Sequence, residues 1–315
     1  MHYNLKSSFA YRLITEKHEL TRLATVRKKG LILPLEIPVF VVLLVGTGFL
    51  TNSLPLYMMS SLTSAERVRA FMSTVPGTFV GMAMSIGMIV MFMLYCRLIQ
   101  KRPARSMGFQ KERILSEVPK GILIGFLLFS AAVLLGSLFG GFRFDGVASH
   151  IALPAIGLWI LRFFVEGMKE EVMLRGCFMV SISRRSPMWV AVLVNSVVFG
   201  AAHCLNPGIG VLPVVNLTLF GIFASLYMLR TGSIWSVAAM HAVWNIAQGN
   251  VYGLTVSGQD VALPTLLHFS QTGRALVNGG VFGPEGGIAV TAVLLIGIAG
   301  VLLAPIKSQD VFIKG

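Results

Sequence analysis

Six charged side chains lie within one apolar stretch, between residues 158 and 176: Arg162, Glu166, Lys169, Glu170, Glu171 and Arg175. Glu171 precedes Arg175 by four residues, which is the favoured order for an ion pair on one helix face. Arg162 and Glu166 have the same spacing and predict a second pair, although Lys169 can compete for either Glu166 or Glu170. Glu170 points about 100° away from Glu171, since a helical turn takes 3.6 residues. We therefore expect Glu171 and Arg175 to form a framework pair and Glu170 to act as a general base or acid.

Two further motifs bring polar side chains into apolar segments. Asn195, Phe199 and His203 recur every four residues and so share one helix face. His241 and Asn245 have the same spacing on a later segment. A single histidine often serves as a hydrogen-bond partner between membrane helices. Together with the carboxylates, these residues supply a base, two imidazoles and an amide donor for a developing oxyanion, which favours activation of a water molecule.

The amino-acid composition indicates whether these groups lie in a soluble protein or in a membrane protein. Of 315 residues, 55% are hydrophobic and 12% are charged, whereas an average soluble domain has roughly 25% charged residues. This excludes a disordered chain and a single soluble core, and indicates an integral membrane protein. A charge at the bilayer centre costs about 2.5–3.5 kcal/mol, so the six charges of the 158–176 stretch are expected to face a protein interior.

Apolar stretches give the helices that position these groups, because a spanning helix needs about 20 apolar residues. The turn signal Asn206-Pro207-Gly208 divides the longest stretch into two spans. The predicted fold class is an all-α, polytopic bundle of about eight transmembrane helices. Their predicted ranges are 37–65, 70–96, 121–142, 146–183, two within 186–229, 231–259 and 286–306.

The distribution of basic residues predicts the orientation. With an even number of spans, both termini lie on one side, and that side has 19 of the 26 Lys and Arg residues while the other has four. The positive-inside rule then places both termini in the cytoplasm of a multi-pass cell-membrane protein. Topology explains the positive charge without nucleic acid as a partner. The basic arm could also contact anionic headgroups of the bilayer.

This topology divides the chain into five segments. The segments are a basic cytoplasmic arm (1–35), three transmembrane helices (36–149), a catalytic core of four helices (150–252), an external loop (253–286) and a last transmembrane helix with a short tail (287–315).

The three cysteines, Cys96, Cys177 and Cys204, have no paired spacing and indicate neither a disulfide framework nor a zinc knuckle.

Three motifs in this order resemble those of the CPBP (Abi) family, the CAAX prenyl proteases and bacteriocin-processing intramembrane endopeptidases. The motifs are Glu170-Glu171-x-x-x-Arg175, Phe199-x-x-x-His203 and His241-x-x-x-Asn245, and the flanking Arg175-Gly176 and Leu229-Arg-Thr-Gly-Ser233 also look like this family. Each motif alone is common, but three in order on predicted membrane helices are specific. The resemblance covers about residues 153–249.

The resemblance implies hydrolysis of a peptide bond in a membrane-associated protein or peptide. Glu170 would activate water with help from His203. His241 and Asn245 would position the water or stabilise the oxyanion, and the second acid and the arginine of the first motif would hold the helix. The extra charges at Glu166 and Lys169 depart from the family pattern.

Members of the family look like either glutamic peptidases or zinc-type sites. Two histidines and a carboxylate could hold zinc, but no His-Glu-x-x-His helix is present in the sequence. We favour the metal-free form and assign no cofactor.

Two other function classes fit the same polar cluster. A non-catalytic scaffold or immunity partner would use the cluster to hold its helices together. A proton-coupled transporter would use buried Glu and His side chains as a relay, but the sequence has neither the repeats nor the paired broken helices that are typical of such carriers. Loss of cleavage in Glu170→Ala and His203→Ala would separate the protease from both.

Overall fold

The computed structural model describes residues 9–26, 30–72, 74–259, 263–304 and 312–313. Parts of the predicted basic arm and most of the short C-terminal tail lie outside these ranges. The structure is mostly helical, 76%, in agreement with the predicted class.

A helix lies at each of the predicted places. The helices are α1 (Phe9–Thr15), α2 (Glu19–Thr25), α3 (Leu33–Leu62), α4 (Ala65–Met72), α5 (Val75–Ile99), α6 (Lys111–Leu138), α7 (Leu153–Glu171), α8 (Met188–Ala202), α9 (Val211–Thr231), α10 (Ile234–Ile246), α11 (Ala275–Asn278) and α12 (Ile288–Leu303). By length and composition α3, α5, α6 and α9 can each cross a membrane, whereas α8 and α12 are apolar but shorter. The count of eight spans and the cytoplasmic termini stay predictions.

Four short strands were not predicted. Strand β1 (Lys17–His18) pairs antiparallel with β4 (Phe312–Ile313), and β2 (Phe142–Val147) pairs antiparallel with β3 (Leu267–Gln271). Two predicted boundaries are therefore wrong. Helix α6 ends at Leu138 instead of continuing to residue 142, and α7 begins at Leu153 instead of residue 146. The apolar residues between them belong to β2 and its connection, and apolar content alone does not distinguish a helix from a strand.

The helix that begins with α7 becomes π-helical after Glu171. The helix continues beyond Glu171 through a π-helical stretch (Val172–Met179) to a final turn (Val180–Ser183). Arg102, buried beneath this stretch, donates through Nη2 to the carbonyl oxygens of Gly176 and Cys177, each at 3.3 Å. One of the basic residues counted for orientation is thus a structural partner of the π-helix.

Helix α10 lies at the centre of the bundle and is buried along nearly its whole length. Glycines on its neighbours allow the close approach. A Cβ at Gly121 of α6 would lie 2.2 Å from the Ser236 carbonyl oxygen, and a Cβ at Gly125 would lie 2.3 Å from the Met240 carbonyl oxygen. Small residues of this kind let membrane helices pack backbone to backbone. The packing brings His241 of α10 into the interior.

We expect Gly125→Ala to destabilise the protein, because the new methyl group would push α6 away from α10. Overpacking of this kind costs about 1–3 kcal/mol. Thermal unfolding in detergent should show a lower Tm than that of Gly157→Ala, whose Cβ on α7 would meet nothing within 4 Å. Equal Tm values for the two variants would contradict this packing.

The N-terminal arm is folded against the bundle over residues 9–25. The His18 ring donates through Nε2 to the Leu229 carbonyl oxygen (2.9 Å), and its Nδ1 accepts from the Leu20 N–H (3.1 Å). The Thr21 and Ser183 hydroxyls are hydrogen-bonded at 2.8 Å. These contacts join the arm to the ends of α9 and α7.

The buried ring of His18 makes arm docking sensitive to pH. Burial lowers its pKa from 6.5 to about 4, so the docked state is fully stabilised above about pH 6.5 and loses stability as the pH falls towards 4. Hydrogen–deuterium exchange of residues 9–25, corrected for intrinsic rates, should therefore increase over this interval. His18→Asn keeps an acceptor for the Leu20 N–H but does not titrate, and should remove the pH dependence. An unchanged dependence in this variant would assign the titration to another group.

Candidate active site

A cavity of about 490 Å³ lies among α3, α5, α7, α8, α9 and α10 and the loop that precedes α12. All four residues predicted to be catalytic line it: Glu170, His203, His241 and Asn245. The structure thus brings side chains from three separate motifs to one space. Their chemical roles stay predictions.

Glu171 and Arg175 form the predicted ion pair. The Arg175 Nη1 donates to Glu171 Oε1 at 3.0 Å, and both side chains have 0% exposure. The guanidinium also lies over the Phe199 ring, 4.6 Å from its centroid. Phe199 of the second motif therefore supports the arginine of the first, through a cation–π contact between α8 and the π-helical end of α7.

The same carboxylate orients His241. The imidazole donates through Nδ1–H to Glu171 Oε1 at 2.8 Å. Its other nitrogen, Nε2, lies 3.8 Å from Glu170 Oε2. Neighbouring glutamates thus have different positions, since the Glu170 side chain is 27% exposed to the cavity whereas that of Glu171 is not exposed at all. A buried hydrogen bond at one ring nitrogen fixes the direction of the other.

His203 lies directly after the last residue of α8. Its Nδ1–H donates to the Phe199 carbonyl oxygen at 2.8 Å, one turn back along the chain. In the neutral imidazole this bond leaves Nε2 as an acceptor on a cavity-lining side chain. Asn195, which precedes it on the same face, does not line the cavity. It is buried, and its Nδ2 donates to the Ser225 hydroxyl of α9 at 3.1 Å.

The predicted pair of Arg162 and Glu166 is wrong. Glu166 instead forms an ion pair with Lys169 and accepts a hydrogen bond from the Ser85 hydroxyl of α5 at 2.6 Å. Arg162 lies over the Trp159 ring, 4.7 Å from its centroid. Lys169 lies three residues after Glu166 on the same helix, a spacing that also allows an ion pair. The Ser85 hydroxyl of α5 adds a donor that spacing along α7 does not reveal.

Glu285 is a cavity-lining carboxylate that the motifs missed. Its Oε2 accepts from the Ser257 N–H (2.7 Å), the Ser257 hydroxyl (2.8 Å) and Gln248 Nε2 (3.2 Å). These bonds tie both ends of the 253–286 segment to the π-helical turn after α10 (Ala247–Val251). The signal available in the sequence is that Glu285 is the only acidic residue between positions 263 and 304.

A zinc site does not fit these side chains. Within the described ranges, no group of three or more His, Cys, Asp or Glu residues is placed to hold one metal ion. No chemical step is therefore derived through a metal.

We expect Arg175→Met to destabilise the bundle by about 3–5 kcal/mol, because it leaves the Glu171 charge buried without its cation. The double variant Glu171→Leu with Arg175→Met should recover much of this loss. Arg105→Met removes one partner of an exposed pair with Glu112 and should cost less than about 1 kcal/mol. Unfolding in detergent measures all three. If Arg175→Met were as stable as Arg105→Met, the pair would not be a framework.

Comparison with known proteins agrees with the motifs. Residues 152–247 match the family model described as type II CAAX prenyl endopeptidase Rce1-like. No curated protein and no solved structure matches the chain. The matching family is a family of proteases, and with the apolar helices it indicates a membrane protein. The matched region, residues 152–247, is thus similar to the Rce1-like, CPBP-type CAAX endopeptidases that the three motifs predicted.

Proposed function

We propose that this chain is an intramembrane endopeptidase of the glutamic type, which hydrolyses peptide bonds of membrane-associated proteins or peptides. The family match supports the coarser statement, a CAAX-type intramembrane protease. The proposal of a glutamic mechanism rests on one observation. Glu170 Oε2 and His241 Nε2 lie 3.8 Å apart on the cavity wall.

Glu170 activates the nucleophilic water. A separation of 3.8 Å is longer than a direct hydrogen bond, and one water molecule can contact both Glu170 Oε2 and His241 Nε2. The carboxylate removes a proton from this water, and the hydroxide attacks the carbonyl carbon of the scissile bond. His203, whose Nε2 is not used by its bond to Phe199, orients the water from α8.

Asn245 stabilises the tetrahedral oxyanion, whereas His241, whose Nε2 is an acceptor while Nδ1–H donates to Glu171, positions the water. They lie one turn apart on α10, and both line the cavity. In the described part of the chain the Asn245 side chain has no hydrogen-bond partner, so its Nδ2–H is available to substrate. A fixed amide donor in a water-poor site is worth more than in solution, since it needs no reorganisation when the negative charge develops.

Glu170 then returns its proton to the leaving amine, and the products are a carboxylate and a free amino terminus. Glu171 and Arg175 touch neither water nor substrate and act by positioning His241. We further propose eight spans, a cell-membrane location and cytoplasmic termini. The loop before α12 then lies on the outer side of the membrane.

A variant pair tests the proposal. We expect Glu170→Gln and His203→Ala each to lower kcat for a quenched fluorescent, farnesylated CAAX peptide, since loss of a general base costs about 10²–10⁴-fold. The assay uses the purified full chain in lipid nanodiscs. Glu117→Gln is the matched control, because Glu117 is a buried carboxyl of α6 that does not line the cavity.

Wild-type rates in Glu170→Gln would show that another group activates the water. A comparison of membrane proteomes from cells with wild type and with Glu170→Gln adds a second readout. Uncut precursors should accumulate in the variant, whereas identical profiles together with preserved partner complexes would favour the scaffold function.

A further inference from the structure

The cavity that holds the candidate site is open towards one end of the bundle. Two residues of its lining are exposed, Ala202 at the end of α8 and Gln259 in the loop before α12. The lining beyond Glu170, formed by Met173 and Leu174, is buried. A ligand therefore reaches Glu170 from the end of the bundle where α8 ends.

Several chain segments meet around this opening, which we call the cavity mouth (Ala202, Asn206, Ser257 and Gln259). Asn206 Nδ2, from the connection between α8 and α9, donates to the Ser257 carbonyl oxygen of the loop before α12 at 2.9 Å. Strand β2, which precedes α7, pairs with β3 of the same loop. Three of the four mouth residues have polar side chains, as expected at a boundary with water, because such groups are costly to place in lipid.

Other contacts identify the chain segments at the opposite end of the bundle. Arg113 Nη1, near the start of α6, donates to the Thr231 carbonyl oxygen at the end of α9 (2.8 Å). The His18 ring of the N-terminal arm donates to the Leu229 carbonyl oxygen (2.9 Å). The arm, the connection between α5 and α6 and the connection between α9 and α10 thus lie together. In the described part of the chain, none of their residues lines the cavity.

The two ends of the bundle differ in charge. Segments at the end opposite the mouth have 19 Lys and Arg residues, whereas segments at the mouth end have four. Two of these four are Arg143 in β2 and Arg274, three residues after β3. Because Lys and Arg are enriched on the cytoplasmic side of a membrane protein, the mouth faces the outer side.

Resting on the proposed function and its orientation, we propose that the substrate enters the cavity from the outer side of the membrane. The substrate class is then an extracytoplasmic segment of an exported or membrane-anchored polypeptide, which passes the mouth to reach Glu170. A cytoplasmic segment meets the buried wall of Met173 and Leu174 instead. The side of the membrane on which a peptide lies thus decides whether it can be cleaved.

A cysteine in the cavity wall tests the side of entry without any requirement for activity. Val198 of α8 lines the cavity, whereas the adjacent Val197 does not and is 57% exposed on the surface of the bundle. Val198→Cys and Val197→Cys are each made in the full chain with Cys204→Ser, which removes the exposed native thiol and leaves the two buried ones. A charged, membrane-impermeant thiosulfonate is then added to right-side-out and to inverted membrane vesicles from cells that express the chain.

Val198→Cys should react in right-side-out vesicles and not in inverted ones. Val197→Cys should react in neither, because a thiol that faces lipid does not form the thiolate that attacks the reagent. Ser116→Cys, exposed near the start of α6, marks the opposite end and should react only in inverted vesicles. Reaction of Val198→Cys from the inverted side, or equal reaction of Val198→Cys and Val197→Cys, would overturn the proposal.

The same vesicles distinguish failure of this inference from failure of the proposed function. A quenched, farnesylated CAAX peptide with a sulfonated fluorophore stays on the side to which it is added. The wild-type chain should cleave it in right-side-out vesicles, and in inverted vesicles only after detergent is added, with Glu170→Gln as the control for other proteases.

Cleavage by intact inverted vesicles alone would refute entry from the outer side and leave the protease in place. Absence of cleavage even in detergent, with Val198→Cys still reactive only from the outer side, would contradict the protease and leave the outer opening in place.

Discussion

One fully buried carboxylate connects the helices that carry the site. Glu171 accepts from Arg175 on its own helix and from His241 on α10, and Arg175 lies over Phe199 of α8. Removing these ions from water is expensive, and their mutual attraction and hydrogen bonds offset part of that cost. The three motifs are thus parts of one network. Each motif supplies a partner for a group that another motif buries. The polar groups that face the cavity, above all Glu170, are those that form no bond within this network.

The need to pair buried polar groups also determines the structure around the site. A polar group within an apolar bundle needs a partner, and several partners here are backbone carbonyls far away in sequence. Asn216 of α9 donates to the carbonyl oxygens of Glu285 and Gly287, which fastens the loop before α12 to the bundle. The loop is therefore part of the cavity wall. A protease in a bilayer needs such a wall, because water must reach one carboxylate without reaching the whole interior.

Much of this arrangement follows from spacing along the chain. Helical periodicity was sufficient to predict that Glu170, His203, His241 and Asn245 face an interior, and they line one cavity. It failed where a partner comes from another element. The Ser85 hydroxyl of α5 donates to Glu166, and pairing with β3 places residues 142, 146 and 147, which were predicted to be helical, in β2. Glu285 was missed for the same reason, since its donors come from the loop and from the turn after α10.

The π-helical stretch from Val172 to Met179 has an evolutionary consequence. A π-helix widens the turn by one residue, as a single insertion into an α-helix does. Arg175 lies within this stretch and Glu171 immediately before it, so the two motif residues keep their contact across a change of helical register. A homologue that lacks the extra residue would show the same motif on a helix whose following turns are rotated by about 100°. Alignment of this chain with such a homologue therefore requires a one-residue gap inside the π-helix, although the motif itself aligns without one.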